Sequence, residues 1–333
     1  YIVGIPMFYS VGFVILIPLV FTVAASSGLP LIYVGLPMLA SLSVTHGFLP
    51  PHPAPTAISS MFNADIGKTL LYGIIIAIPA IIVAGPLFSR TIKNINATPL
   101  KEFYNPIILK DEEMPGMGIS VLTALLPVIL IIFSSIFTII YPGDSMFKEI
   151  IVFIGNPVIA MLLSVLVAIY TLGLSLGKKM VELMSSVSIS VSSITMVLLI
   201  ISGAGALKQI LIDSGVSDYI GALLDGSQIS PLILAWLIAT VIRVCVGSAT
   251  VAGLTAAGIV LPLISNSDVS PELMVLAIGS GSLMLSHVND AGFWMFKEYF
   301  NLTIKETLST WTVMETIVGV TGLIGVLILN IFI

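Results

Sequence analysis

Three histidines, one arginine and one aspartate stand where an otherwise apolar chain is interrupted by proline, glycine or small polar residues. His46 and His52 lie in "SVTHGFLPPHPAPTAISS" (43–60), His287 and Asp290 in "SHVNDAG" (286–292), and Arg243 lies four residues before "GSATVAG" (247–253). Imidazoles exchange protons near neutral pH. An Asp or Arg at membrane depth costs about 2.5–3.5 kcal/mol on insertion scales and is retained for pairing or function. A single histidine at a helix break is more often a structural hydrogen-bonding residue than a ligand. Two at matching positions, one of them three residues from Asp290, suit a proton or substrate relay. In "GSATVAG" two short helices meeting at a small-residue tip would aim hydroxyls and free amide N–H groups at one point, which is an anion site. The same residues suit a small-xxx-small packing face, and Arg243 tilts the balance toward the anion. A fourth broken stretch is "GIPMF" (4–8), with Gly4 and Pro6 as its tip. The histidines form no HExxH and no tight ligand pair, so no metal is expected.

The elements that carry these groups must cross a bilayer. The chain has 333 residues, 57% hydrophobic and 9% charged, with a mean hydropathy of +1.16, whereas soluble domains carry about 25% charge. Apolar runs of the ~20 residues a bilayer core demands lie near 8–25, 69–89, 119–141, 150–176, 189–212 and 311–333. Less regular ones occupy 30–48, 230–264 and 272–288. The runs lack the alternation of barrel strands, so an all-α polytopic membrane protein is expected. The net charge of −5 is spread through loops and excludes a nucleic-acid surface. The lone Cys245 excludes a disulfide framework.

Lysines and arginines set the orientation. Arg90, Lys93, Lys101 and Lys110 in 89–118, and Lys178 and Lys179 in 177–184, mark one face as cytoplasmic, while 213–229 carries three aspartates and no Lys or Arg, as an external loop should. With 230–264 as a re-entrant hairpin, the C-terminus falls outside.

An internal repeat emerges when residues 29–48 are laid over 270–289: Pro30 falls on Pro271 and His46 on His287. Downstream, "MFNADIGKTL" (61–70) matches "YFNLTIKETL" (299–308). The charge-based topology runs the copies in opposite directions, the mark of inverted-repeat carriers with discontinuous helices. The expected division is residues 1–88 as the end of the first repeat, 89–118 as a cytoplasmic loop and 119–333 as the second repeat. The first copy then lacks roughly 120 residues, or about three spans, which are expected to precede Tyr1 in the natural protein.

"THGFLPPHPAPTAI", "FNADIGKTLLYG", "GSATVAG", "SPELMVLAIGSGS" and "SHVNDAGFWMFKEYFNLTI" resemble the gluconate permeases, bacterial sugar-acid:proton symporters of the wider ion-transporter superfamily. The resemblance covers essentially the whole chain, departing at Ala54, where many members have Gly. It implies uptake of gluconate or a related hydroxy acid with protons across the inner membrane, by a fold of paired re-entrant hairpins and broken helices, as a homodimer in the lipid bilayer. Relatives carry idonate, fructuronate, ketogluconates, glycerate or D-serine, which leaves the acid open. No cofactor beyond the coupling proton is expected. On this footing Gly247, Ser248 and Thr250 with Arg243 bind the substrate carboxylate. His46, Gly47, His52 and Asn289 meet its hydroxyls, and His287 and Asp290 carry the proton. Sodium coupling, a channel and an intramembrane metal enzyme are the competing readings.

Overall fold

The computed structural model describes residues 1, 4, 5, 7–95, 97, 98, 114–141, 143, 145–193, 206, 209, 210, 213, 214, 229–265 and 269–333. Pro6, most of the expected loop 89–118, most of the expected span 189–212 and nearly all of 213–229 lie outside them.

Every regular element among the described residues is helical. In chain order they are α1 (Tyr9–Ser27), α2 (Leu31–Phe48), α3 (Pro53–Met61), α4 (Ile66–Thr91), α5 (Met117–Ile140), α6 (Met146–Gly155), α7 (Pro157–Thr171), α8 (Met180–Ser193), α9 (Pro231–Val246), α10 (Ala249–Ser265), α11 (Pro271–Gly281), α12 (Ala291–Tyr299) and α13 (Ile304–Leu329). Both α4 and α13 pass through a π-turn, at Val83–Leu87 and Leu308–Thr312. Six helical stretches among the described residues are long and apolar enough to cross a membrane. The expected span 150–176 is divided at Asn156, whose side chain accepts from Val158 N at 3.0 Å to start α7. The expected hairpin at 230–264 appears as α9 and α10, packed on each other and joined at Gly247 and Ser248.

Thr123 of α5 and Thr171 of α7 share a hydrogen bond at 2.9 Å, so α5 begins beside the end of α7. Residues 65–68 share a cavity with Ser134 and Thr138, so α4 starts beside the second half of α5 and ends near its beginning. Arg90, Lys93, Lys178 and Lys179 therefore gather at one end of the molecule.

Two stretches are built alike. α2, a break at 49–52, α3, a tight turn and α4 correspond to α11, a break at 282–290, α12, a tight turn and α13. α3 and α12 each have 9 residues, and α4 and α13 each have 26. Both short helices end on a buried Phe (Phe62, Phe300) followed by an Asn in the left-handed region, Asn63 at φ 52° and Asn301 at φ 51°. Around each Asn the amides turn back in the same way: Asn63 N to Ser60 O and Ala64 N to Ser59 O, Asn301 N to Glu298 O and Leu302 N to Lys297 O. This is the Schellman closure, in which Asn is one of the few side chains that tolerates positive φ. The shared "FN" thus has a mechanical cause. Asp65 and Thr303 then cap the long helices, accepting from Lys68 N at 2.8 Å and Glu306 N at 3.2 Å.

The first break is shorter than the prolines suggest. An unwound segment through Pro55 is the expectation, yet Pro53 opens α3 and Pro55 lies in its first turn. First-turn N–H groups have no intrahelical acceptor, so proline costs nothing there and its fixed φ suits the helix. Only Leu49–His52 is irregular, and its amides are satisfied by Leu49 N to Thr45 O and His52 N to Leu49 O, as membrane depth requires.

Lipid offers no hydrophobic drive between helices, so close packing must hold the two stretches together. α2 and α11 cross at paired glycines: a Cβ on Gly279 would lie 2.4 Å from Gly47 O, and one on Gly47 would lie 2.5 Å from the Leu283 side chain. Gly279→Val should lower the melting temperature of the detergent-solubilised protein by several degrees, on the order of 1–3 kcal/mol of overpacking. Gly118→Ala, with open space around its Cβ, should leave the melting curve in place.

Candidate functional site

The hairpin tip presses directly on the second break. α9 ends at Gly247 with φ 79°, and a Cβ there would fall 2.2 Å from Asn289 O. Glycine is therefore demanded twice, by the left-handed backbone and by the approach. Ser248 Oγ accepts from Val251 N at 3.4 Å and heads α10, whose first-turn amides at Ala249 and Thr250 have no intrahelical acceptor. The positive end of the α10 dipole lies behind them.

Arg243 and Asp290 join tip and break. Arg243 is 3% exposed and donates through Nη2 to Asp290 Oδ2, which also accepts from Ser286. Ser286 Oγ in turn accepts from Trp311 Nε1 at 2.7 Å. The other aspartate oxygen caps α12, accepting from Gly292 N at 2.9 Å. One carboxylate thus ends the break, starts a helix and holds the arginine, while the α13 indole orients the serine. Arg243 Nε and Nη1 have no partner among the described residues. Asn289 Nδ2 donates to Val244 O at 2.8 Å, and a His287 ring nitrogen lies 3.2 Å from the same carbonyl in the last turn of α9.

The histidines of the first break form a layer. His46, half-buried near the end of α2, has an unpartnered Nδ1 among the described residues and packs edge-on against His52, with ring centroids 5.4 Å apart. His52 is buried behind it, with Nε2 3.0 Å from Gly4 O. Gly4 is equally confined, since a Cβ there would lie 2.6 Å from Thr45 Oγ1.

These groups surround a cavity of about 370 Å³. His46, Arg243, Gly247, Ser248, Thr250, Asn289 and Asp290 line it. Gly47, His52, His287 and Gly4 stand outside the lining: Gly47 at the helix crossing, His52 and Gly4 behind His46, His287 behind Asn289. The lining also includes Ser43, Tyr9, Trp311 and Glu315. Glu315 is 1% exposed, its Oε1 bonded to the Ser43 hydroxyl and its Oε2 unpartnered among the described residues. Among those residues no three His, Cys, Asp or Glu side chains converge on a metal position.

Comparison with known proteins gives the family of the chain. The model of the GntP family permeases matches residues 1–332. The chain belongs to the GntP permease family. This permease is 54% identical to the "High-affinity gluconate transporter" of Escherichia coli (strain K12) over 98% of its own length and 75% of the relative's. It is 51% identical to the "Gnt-II system L-idonate transporter" of the same strain, over 99% and 75%. To the "Gluconate permease" of Bacillus subtilis (strain 168) it is 48% identical, over 99% and 76%. Its fold matches that of the YdaH transporter of Alcanivorax borkumensis with a TM-score of 0.60 at 16% identity, over 96% of this chain and 73% of that one. Family and apolar helices together make it a multi-pass protein of the inner membrane.

Sequence reasoning on the permease passed over Glu315, Ser43 and Trp311. "TWTVMETIVGV" (310–320) reads as plain membrane span, and the one available signal was an acid inside it. The Arg243–Asp290 contact was equally out of view, because 47 residues separate the partners.

A double-mutant cycle tests that pair. Arg243→Ala or Asp290→Ala alone leaves a buried charge unpaired and should cost about 3–5 kcal/mol of stability. The double variant should recover part of this, with a coupling energy on the order of 1–3 kcal/mol from thermal or denaturant unfolding in detergent. Additive losses would mean that the two side chains act independently.

Proposed function

We propose that this permease takes up gluconate or a closely related sugar acid by proton symport, binding it in the cavity between the α9–α10 tip and the two helix breaks. The observation that carries the reading is the convergence, on one cavity, of the α10 N-terminus, Ser248, Thr250 and a buried Arg243 with two nitrogens unpartnered among the described residues. A carboxylate satisfies such donors, and charge-assisted hydrogen bonds are about twice as strong as neutral ones. Asn289 and His46 border the same space with groups suited to sugar hydroxyls. The volume, about 370 Å³, falls within the ~300–1,000 Å³ of small-molecule sites. The names of the relatives, gluconate and L-idonate transporters, support a sugar acid as cargo.

In this reading Asp290 positions Arg243, and His287 with Asn289 ties the second break to the end of α9, so that tip and break move as one piece. The shared build of α2–α4 and α11–α13 supports an inverted repeat, with 89–118 as the loop between copies and alternating access arising from one copy moving against the other. The broad apolar surface of α5–α7, where Leu122, Phe153 and Val158 are exposed, is available to lipid and to the second copy of a homodimer.

Proteoliposomes holding the full-length permease test the proposal. Labelled gluconate should accumulate only under an inward proton gradient, in sodium-free buffer, and Thr250→Val should reduce uptake by on the order of tenfold through loss of one hydrogen bond to a charged group. Accumulation that requires sodium, or flux that only equilibrates, would replace symport with a sodium carrier or a channel.

A further inference from the structure

Glu315 has no part in the binding scheme above, yet it is buried in α13 at the wall of the same cavity. Asp290 is compensated on every side, by Arg243, by Ser286 and by the α12 amide of Gly292. Glu315 is held by one hydroxyl, that of Ser43, and its second oxygen has no partner among the described residues. The groups facing it are few. α1 brings the Tyr9 hydroxyl, unpartnered among the described residues, α2 brings Ser43 and His46, and α9 brings Arg243, which bonds Asp290 rather than Glu315. The second break brings Asp290, with His287 turned to Val244 O. The buried residues of α4 include no charged side chain, their polar members being Thr69 and Ser89, and α11 presents Ser280, whose hydroxyl is spent on Ala277 O. Ionised Glu315 therefore contacts no cation among the described residues, and its charge would repel a carboxylate entering the same small space beside Arg243.

We propose that Glu315 takes up the coupling proton, and that its protonation admits the sugar-acid carboxylate to the cavity. This rests on the symport reading. The step is a proton transfer alone: a proton from the aqueous entrance bonds to a Glu315 oxygen as the anion binds, and both leave on the other side. Like charges make the two ligands mutually dependent, and the dependence is reciprocal.

Proton uptake on gluconate binding is the test, measured with a pH indicator in weakly buffered detergent solution of the full-length permease. The wild type should take up about one proton per gluconate, and its affinity should weaken by up to about tenfold per pH unit as pH rises. Glu315→Gln should bind gluconate with no proton uptake and a flat pH profile, and in proteoliposomes a proton gradient should no longer drive its accumulation. If the wild type takes up no proton, symport itself fails. If the wild type does and Glu315→Gln still does, symport stands and Glu315 is not the carrier. Should Glu315→Gln bind nothing, Glu315→Asp decides: restored binding with proton uptake supports the assignment, and a monodisperse protein with neither overturns it. A merely structural bond to Ser43 would leave the proton count unchanged.

Discussion

An ion pair between the buried Arg243 and the half-buried Asp290 joins the hairpin tip to the second helix break, at the wall of the cavity. Removing two charges from water costs several kcal/mol per ion, and the return depends on geometry and further hydrogen bonds. Those bonds are present: Ser286 and the α12 amide complete the aspartate, and Trp311 orients the serine. The arginine is left incomplete, with two nitrogens free of partners among the described residues. Such a pair contributes little to stability by itself. It holds an underused cation beside the start of α10, where a ligand can use it.

The backbone around this pair obeys the demand that membrane-depth amides be satisfied. The first break is limited to Leu49–His52, and the second closes through short turns, with Asp290 N bonded to His287 O. Each broken segment is followed by a 9-residue helix, an Asn-based Schellman turn and a long helix. The two stretches then interlock at Gly47 and Gly279. Rigid packing sits around the breaks, and polar groups with spare hydrogen-bonding capacity sit inside them. A carrier that must bind and release from two sides needs that division.

Much of this was legible in the residues. Long apolar runs mark most of the spans, and Gly247-Ser248 marks the hairpin tip. The alignment of His46 with His287 points to the two breaks, and Arg243 and Asp290 were conspicuous as charges in an apolar chain. What stayed hidden depends on tertiary approach. Pro53 and Pro55 look like helix breakers and instead start α3, because a first turn needs no amide donor. His52 looks like a ligand and instead lies outside the cavity lining, packed edge-on against His46 with its Nε2 on Gly4 O. Gly47 is expected to meet substrate hydroxyls and lies instead at a helix crossing, outside the cavity lining. Glu315 sits inside a hydrophobic run that reads as plain span, although a carboxyl there is as costly as an arginine.

The central claim is that the sugar-acid carboxylate sits at the head of α10 beside Arg243. A structure of the full-length permease with gluconate bound tests it most directly. The carboxylate should lie within hydrogen-bonding distance of Ser248, the first α10 amides and a free Arg243 nitrogen, with the hydroxyl chain toward Asn289 and His46. Gluconate found outside this cavity, or inside it with the carboxylate turned away from α10, would contradict the account.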